Sequence, residues 1–219
     1  MAFELLDEHE QGEVVRKWLR QNTMSIATGI VLALLLIFGW QQWKQRQGRQ
    51  VVEAALQYQA LTKAVDEKRI EDADAIAAAL RKDYTGTAYA VMAALGQAER
   101  AVTKGDLKAA TADLEWALSK ASVPALKQLI SLRLAQARLA DGDANGAIGL
   151  LDGIGKEDYA GQVAELRGDA LVKLDRAEEA RAAYQDALTK LDPQTPNRMF
   201  VQMKLDDLGG APAAQQQGS

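Results

Sequence analysis

Residues 164–188 read AELRGDALVKLDRAEEARAAYQDAL. Small and large apolar residues recur there at three- and four-residue intervals on both sides of Asp175. That spacing is typical of amphipathic helices, and Asp175 interrupts it as a turn residue does. Gly168 and Ala180 place one small side chain in each half, where the two helices of a hairpin touch and a larger side chain would force them apart. The stretch therefore predicts an antiparallel pair of helices.

The same pattern occurs in two upstream segments. Ala98 and Ala135 take the position of Gly168, which gives steps of 37 and 33 residues between the three copies. These steps bracket the 34 residues of a tetratricopeptide repeat. The upstream copies are residues 93–118, AALGQAERAVTKGDLKAATADLEWAL, and residues 131–154, SLRLAQARLADGDANGAIGLLDGI, in which Ala110 and Ala147 correspond to Ala180. We predict a tetratricopeptide-like domain of stacked helical hairpins.

The composition also favours helix. Alanine and leucine are abundant, the chain has 4 Pro, and aromatic residues make up 5% of it. The β-branched and aromatic runs that are typical of strands are correspondingly few. The predicted fold class is all-α, with a single N-terminal transmembrane helix followed by a tetratricopeptide-like helical-hairpin repeat domain.

An apolar run near the N-terminus predicts the membrane anchor. The residues between Arg20 and Lys44 carry no charge. As a helix they would extend roughly 34 Å, enough to cross a bilayer core of about 30 Å. We place the transmembrane helix at 23–43. Equal numbers of basic residues flank it, namely Arg16, Lys17 and Arg20 before it and Lys44, Arg46 and Arg49 after it, so the positive-inside rule leaves the orientation open.

Small residues line one face of this helix at a four-residue step. They are Ser25, Gly29 and Ala33. Small side chains let the backbones of two membrane helices approach closely. We therefore predict that this face packs against another transmembrane helix.

The remaining segments complete the domain organisation. Residues 1–22 form a tail, 44–70 an amphipathic helix that connects the anchor to the repeats, and 71–208 the repeat domain. After Pro196 we expect a terminal helix that covers the last repeat with its apolar residues, Met199, Phe200, Met203, Leu205 and Leu208. Residues 209–219 have nothing to bury, so we expect them to be disordered.

Several classes of function are excluded by the residues present. The chain has no cysteine, and its one histidine, His9, lies in the polar tail, so neither a thiolate site nor a histidine-based triad can form in the repeat domain. Carboxylate and glycine pairs fall at predicted helix ends, where they cap and turn. The net charge of -4 does not favour nucleic-acid binding. We predict no catalytic, cofactor or metal site and no enzyme activity.

A partner-binding groove is the candidate functional site. Aligning the repeat helices places seven residues on the face that lines such arrays: Met92, Leu95, Leu129, Leu132, Gln136, Leu139 and Val172. An apolar groove of this kind suits an amphipathic partner helix or an unfolded client protein. Burial of these leucines under the neighbouring long helix is the alternative that the sequence leaves open.

Over almost its full length the chain resembles the ancillary SecYEG translocon subunits of Gram-negative bacteria, the YfgM family. The resemblance comprises VVRKWLRQN before the anchor, GWQQWKQRQ at its end, the repeat segments LRLAQARLADGDANGAIGLLD and AELRGDALVKLDRAEEARAAY, and the terminal MKLDDL. It implies a protein of the bacterial inner membrane with a cytoplasmic N-terminus and periplasmic repeats. Catalytic residues are not implied.

The resemblance also implies partners. They are the Sec translocon and PpiD, a membrane-anchored periplasmic chaperone, so that secreted or outer-membrane proteins are handed on as they emerge. We therefore expect a non-enzymatic ancillary subunit that links the translocon to periplasmic chaperones and also contacts unfolded client proteins. The alternative is a membrane-anchored tetratricopeptide scaffold for another envelope assembly, such as division or cytochrome maturation.

Overall fold

The computed structural model describes residues 8–155 and 159–209. Every regular element within these ranges is an α-helix, which confirms the all-α prediction. The helices are α1 (Glu8–Asp66), α2 (Ile70–Asp83), α3 (Ala88–Thr103), α4 (Leu107–Lys120), α5 (Pro124–Ala140), α6 (Ala144–Asp152), α7 (Ala160–Lys173), α8 (Ala177–Lys190) and α9 (Asn197–Asp207).

The chain divides into an N-terminal unit that ends at Val52 and a C-terminal unit that begins at Glu53. In the part of the chain that is described, α1 is the one helix long and apolar enough to cross a membrane. Its apolar side chains between Ile30 and Trp43 are exposed, as a lipid-facing helix requires. This agrees with the prediction of one N-terminal span.

Four equivalent turns organise the C-terminal unit. Each has a residue with a left-handed backbone, Lys68, Gly105, Gly142 or Asp175, with φ of 59°, 77°, 96° and 57°. The N–H of the following residue donates to a carbonyl five positions earlier, which closes the preceding helix. These bonds join Arg69 to Ala64, Asp106 to Ala101, Asp143 to Arg138 and Arg176 to Leu171. The unit therefore contains four helical pairs, α1–α2, α3–α4, α5–α6 and α7–α8, in its described residues.

The first pair lies where the sequence predicts a connecting helix. The end of α1 packs against α2 through Ala54, Leu61 and Ala64, so the segment 44–70 contributes to the repeat array from Glu53 onward. Its second helix places Ala73 at the position of the alanines at 110, 147 and 180, and all four are fully buried. The small residues of the second helices thus follow one pattern through the whole array.

Helix α9 covers the last pair, but with other residues than predicted. Val201 and Leu205 are buried against α7 and α8, whereas Met199, Phe200 and Met203 are exposed. The prediction is wrong for these three because α9 turns Val201 and Leu205 toward α7 and α8, an orientation in which Lys204 also binds Glu165 and Asp169 on α7. The tail predicted at 209–219 lies, from residue 210, outside the described residues.

Candidate partner-binding groove

Two adjoining cavities lie along helix α3 and share Glu99. The first, of about 330 Å³, lies between α3, α4 and α5, and the second, of about 410 Å³, lies between α3 and the end of α1. Together they form the groove. Both volumes fall in the range of roughly 300–1,000 Å³ that is typical of ligand sites.

The first cavity is apolar at its base and polar at its edge. Its buried residues are Ala98, Leu114 and Ala137, and its half-buried or exposed residues are Leu95, Glu99, Val102, Leu107, Arg133, Gln136 and Ala140. Apolar side chains from a partner can be buried against such a surface, while the polar edge stays solvated. The arrangement suits insertion of side chains rather than chemistry on a substrate.

Three of the seven predicted residues line the groove. Leu95 and Gln136 contribute to the first cavity, and Met92, which is 40% exposed, contributes to the second. Leu129 is half-buried and lines neither cavity, and Val172 is exposed on α7 outside both. The cavities therefore include both predicted residues of α3 and only one of the predicted residues of α5 and α7, and their role in partner binding stays a prediction.

The prediction is wrong for Leu132 and Leu139. Both are only 5% exposed and pack in a core with residues of α6 and α7, including Ala147 and Leu166. Helices α6 and α7 bury them, not the long helix α1 that the sequence offered as the alternative. Helix α5 is covered on a second side as well, because its Ile130 belongs to the core formed with α3 and α4.

The sequence reasoning misses four exposed residues of the first cavity: Glu99, Val102, Arg133 and Ala140. On α5 the exposed stripe is shifted by one residue from the predicted one. The polar residues Arg133 and Gln136, three positions apart, mark it. On α3, Met92, Leu95 and the two missed residues of that helix follow each other at three- and four-residue steps.

The edge of the groove is close to electrically balanced. Glu99 and Arg133 are exposed and of opposite charge. Arg100, in the second cavity, donates to Asp74 on α2 at 2.8 Å. Burial of apolar surface must therefore supply most of the binding free energy for any partner.

A polar contact fixes the helices behind the groove. Arg81 on α2 donates to Asp113 on α4 and, at 3.1 Å, to Gln97 on α3. Its guanidinium also lies 4.6 Å from the centre of the Trp116 ring, within the range of a cation–π contact. Three helices are thus tied together on the side away from Glu99.

The predicted packing face of the membrane helix is exposed on α1. Ser25, Gly29 and Ala33 all lie at the surface of the N-terminal unit. A β-carbon added at Gly29 would meet no atom within 4 Å. The face is therefore exposed, and its packing against another membrane helix stays a prediction.

Perturbed ionisable groups lie away from the groove, where α7, α8 and α9 meet. Burial and the hydrogen bond to Asp169 raise the pKa of Tyr184. Burial lowers the pKa of Lys204, but its hydrogen bonds to Asp169 and Glu165 outweigh this and raise it overall. Both groups hold helices together. Among the described side chains no group of three His, Cys, Asp or Glu residues could hold a metal ion.

Comparison with known proteins identifies the family. The chain matches the family model of the tetratricopeptide repeat-like domain over residues 16–210. A protein named ancillary SecYEG translocon subunit, from Escherichia coli (strain K12), is 32% identical over 203 residues, which cover 92% of this chain and 97% of the relative. This chain belongs to the ancillary SecYEG translocon subunit family. Family members of the same name from Haemophilus influenzae and Neisseria gonorrhoeae are 28% and 27% identical and are covered over their full length.

Membership of the translocon-subunit family confirms the resemblance found in the sequence. The matched range includes the apolar part of α1 as well as the repeats and α9. The anchor and the repeats therefore both lie within the region that the family model matches.

Proposed function

We propose that this chain is a non-enzymatic ancillary subunit of the Sec translocon that links it to periplasmic chaperones and assists the transfer of secreted or outer-membrane proteins. The observation that carries the proposal is the apolar groove along α3, in a chain that also has a membrane helix. The names of the relatives support the translocon as the partner.

The proposed location is the bacterial inner membrane, with the N-terminus in the cytoplasm and the repeats in the periplasm. In this orientation the groove meets chains on the side where they leave the translocon. Tethering in the bilayer makes each later encounter effectively intramolecular, which raises the local concentration of the groove near its partners. No chemical step is required for this role.

The groove would receive its partner by burying apolar side chains. A helical segment with apolar residues at three- and four-residue steps would match the stripe on α3. Met92, Leu95 and Val102 would contact these side chains, while Glu99 and Arg133 would stay at the solvated edge. A PpiD-like chaperone and unfolded client proteins are the proposed sources of such a segment.

Photocrosslinking tests the proposal directly. A photoreactive residue is placed at Val102 or Gln136 in the groove and at Ala33 in the span, in the full-length protein in its own membrane. We expect the residue in the span to capture SecYEG subunits, and the residues in the groove to capture a periplasmic chaperone or a secreted client protein. The matched control is a photoreactive residue at Val123, which is exposed directly before the first turn of α5 and lies outside both cavities.

The contrary result is equally specific. Capture of cytosolic proteins from Val102 and Gln136 would reject the orientation. Capture of division or cytochrome-maturation proteins, without SecYEG, would favour the scaffold of another envelope assembly.

A further inference from the structure

Helix α9 carries two apolar faces. Val201 and Leu205 pack against α7 and α8. Met199, Phe200 and Met203 lie on the other side of the helix and are 72%, 51% and 55% exposed. A helix that is apolar on opposite sides is normally buried on both. Within residues 8–155 and 159–209, nothing covers the outer face of α9, although its composition calls for cover.

The position of α9 in the array makes this exposure unusual. In repeat proteins each element is covered by the next, and a terminal capping element has a polar outer face. Helix α9 follows the last helical pair but has an apolar outer face instead. An open cavity of about 510 Å³ adjoins that face, and Met199 and Phe200 line it together with Leu188 of α8 and with Pro193 and Pro196 of the connection between α8 and α9. This is the place where one more helix would stack.

Two acidic residues lie at the C-terminal end of the same face. Asp206 and Asp207 follow Met199 and Phe200 by seven residues, two helical turns, and so lie on the same side. Acidic side chains in the last turn of a helix oppose its dipole, so stability of the chain itself does not explain them. Asp206 accepts a hydrogen bond from Gln202 at 2.8 Å, and within the described residues neither carboxylate forms an ion pair with Lys or Arg.

We propose that the outer face of α9, formed by Met199, Phe200, Met203, Asp206 and Asp207, is a docking site for an amphipathic helix of a partner protein. The apolar stripe of that helix covers the three apolar side chains, stacking on α9 as α9 stacks on α8. Its Lys or Arg residues pair with the two aspartates. The site is separate from the groove on α3.

A second copy of this chain fits the face less well. Three side chains of this size, half to three-quarters exposed, offer on the order of 300–400 Å². A stable complex between two folded surfaces buries about 800 Å² per partner. The basic residues of α9 are also engaged in their own chain, since Arg198 donates to the carbonyl of Leu188 and Lys204 binds Glu165. A partner helix with basic residues of its own supplies the ion-pair partners for Asp206 and Asp207 that a second α9 does not.

Peptide binding to the full-length protein in micelles tests the proposal. The probe is a synthetic amphipathic helix with a leucine stripe and lysines along its flanks, and the matched peptide has glutamate in place of each lysine. We expect the lysine peptide to bind at least about tenfold more tightly. Phe200→Ser and Met203→Ser should each weaken its binding by about tenfold, whereas Met203→Leu should preserve it.

The charged end of the site has its own matched control. Asp206→Asn combined with Asp207→Asn should weaken binding of the lysine peptide and reduce the salt dependence of that binding. Glu53→Gln combined with Asp83→Asn removes the same charge from exposed positions elsewhere. This control should change neither the affinity for the lysine peptide nor the salt dependence of its binding. Equal loss in both double variants would show attraction to the net charge only and would overturn the proposal, as would unchanged binding in the serine variants.

Crosslinking identifies the natural occupant and does not depend on a destabilising substitution. A photoreactive residue at Met203 in native membranes should capture a partner at a segment that reads as a basic amphipathic helix. Capture of a second copy of this chain, of lipid, or of an extended segment without basic residues would overturn the proposal. Failure of the groove crosslinks at Val102 would leave this result unaffected, so the two proposals are tested separately.

Discussion

The aromatic ring of Tyr184 lies directly against the backbone of Gly168, and no space for a β-carbon remains there. Gly168 is on α7 and Tyr184 on α8, so this contact sets how closely the two helices of the last pair approach. The Tyr184 hydroxyl also donates to Asp169 at 2.7 Å, which orients the ring. We expect Gly168→Ala to push the helices apart and lower the free energy of unfolding by about 1–3 kcal/mol, measured by thermal unfolding of the full-length chain in micelles.

A second glycine provides the control. A β-carbon at Gly149 on α6 would meet no atom within 4 Å. Gly149→Ala should therefore stabilise the protein by about 0.5–1 kcal/mol, because alanine restricts the unfolded chain and favours helix. Equal effects of the two substitutions would contradict the role of the Tyr184 contact.

Substitutions in the left-handed turns should change the stability of the protein in opposite directions. Lys68 has a side chain at a position where its equivalents Gly105 and Gly142 have none. A residue other than glycine is strained there by about 1–2 kcal/mol. Lys68→Gly should therefore raise the midpoint of urea unfolding, although glycine also frees the unfolded chain and reduces the gain. Gly105→Ala and Gly142→Ala should lower it. A lower midpoint for Lys68→Gly would show that contacts of the lysine outweigh the strain.

These turns also explain which helical pairs could be predicted from the sequence. Three helical pairs were identifiable because a small residue and a turn residue recur in each. The first pair has Leu61 where the second has Ala98, and Lys68 where the second has Gly105. Both characteristic residues are replaced, so the pattern of small residues does not reveal this pair. Of the small residues that define the pattern, the first pair retains Ala73, which lies 37 residues before Ala110.

The groove was predictable on α3 and not on α5. Helix α5 is buried by α3 and α4 on one side and by α6 and α7 on another, so leucines occur around most of its circumference. Apolar periodicity then does not distinguish Leu132, in the core, from a groove residue. The polar Arg133 and Gln136 indicate the exposed stripe beside the groove. The rotation of α9 could not be predicted for a different reason, since its contacts are with residues distant in sequence, namely the core of α7 and α8 and the ion pair of Lys204 with Glu165.

The ionisable groups between α7, α8 and α9 predict a loss of stability in alkali. Folding raises the pKa of Tyr184 and of Lys204. A group with a raised pKa holds its proton more tightly in the folded state. Its contribution to stability is complete below the pKa of the unfolded chain, about 10 for tyrosine, and is lost as the pH rises above it.

Tyr184→Phe tests this directly. The variant loses the hydrogen bond to Asp169 at every pH but has no phenol to ionise at this position. Its stability should therefore fall less steeply than that of the wild type above about pH 10. Thermal unfolding across that range, with tyrosinate absorbance recorded in parallel, provides the comparison. Identical slopes would assign the alkaline loss to other groups.

Orientation in the membrane is tested by single cysteines, since the chain has none of its own. Ser122 is exposed between α4 and α5, and Gly12 is exposed near the start of α1. A membrane-impermeant maleimide applied to spheroplasts should label Ser122→Cys and not Gly12→Cys, because the repeats are proposed to be periplasmic. Labelling of Gly12→Cys alone would reverse the proposed orientation.

The membrane helix provides the last prediction. Gly29→Ile should leave folding unchanged, because a side chain there meets nothing in the chain itself. It should reduce the amount of SecYEG that co-purifies from membranes, because a branched side chain holds two helix backbones apart where small residues let them approach. Val31→Ile enlarges an exposed residue on the opposite side of α1 and should not change co-purification. Equal recovery of SecYEG with both variants would mean that the translocon is contacted elsewhere, and loss with both would indicate lipid packing instead of a specific face.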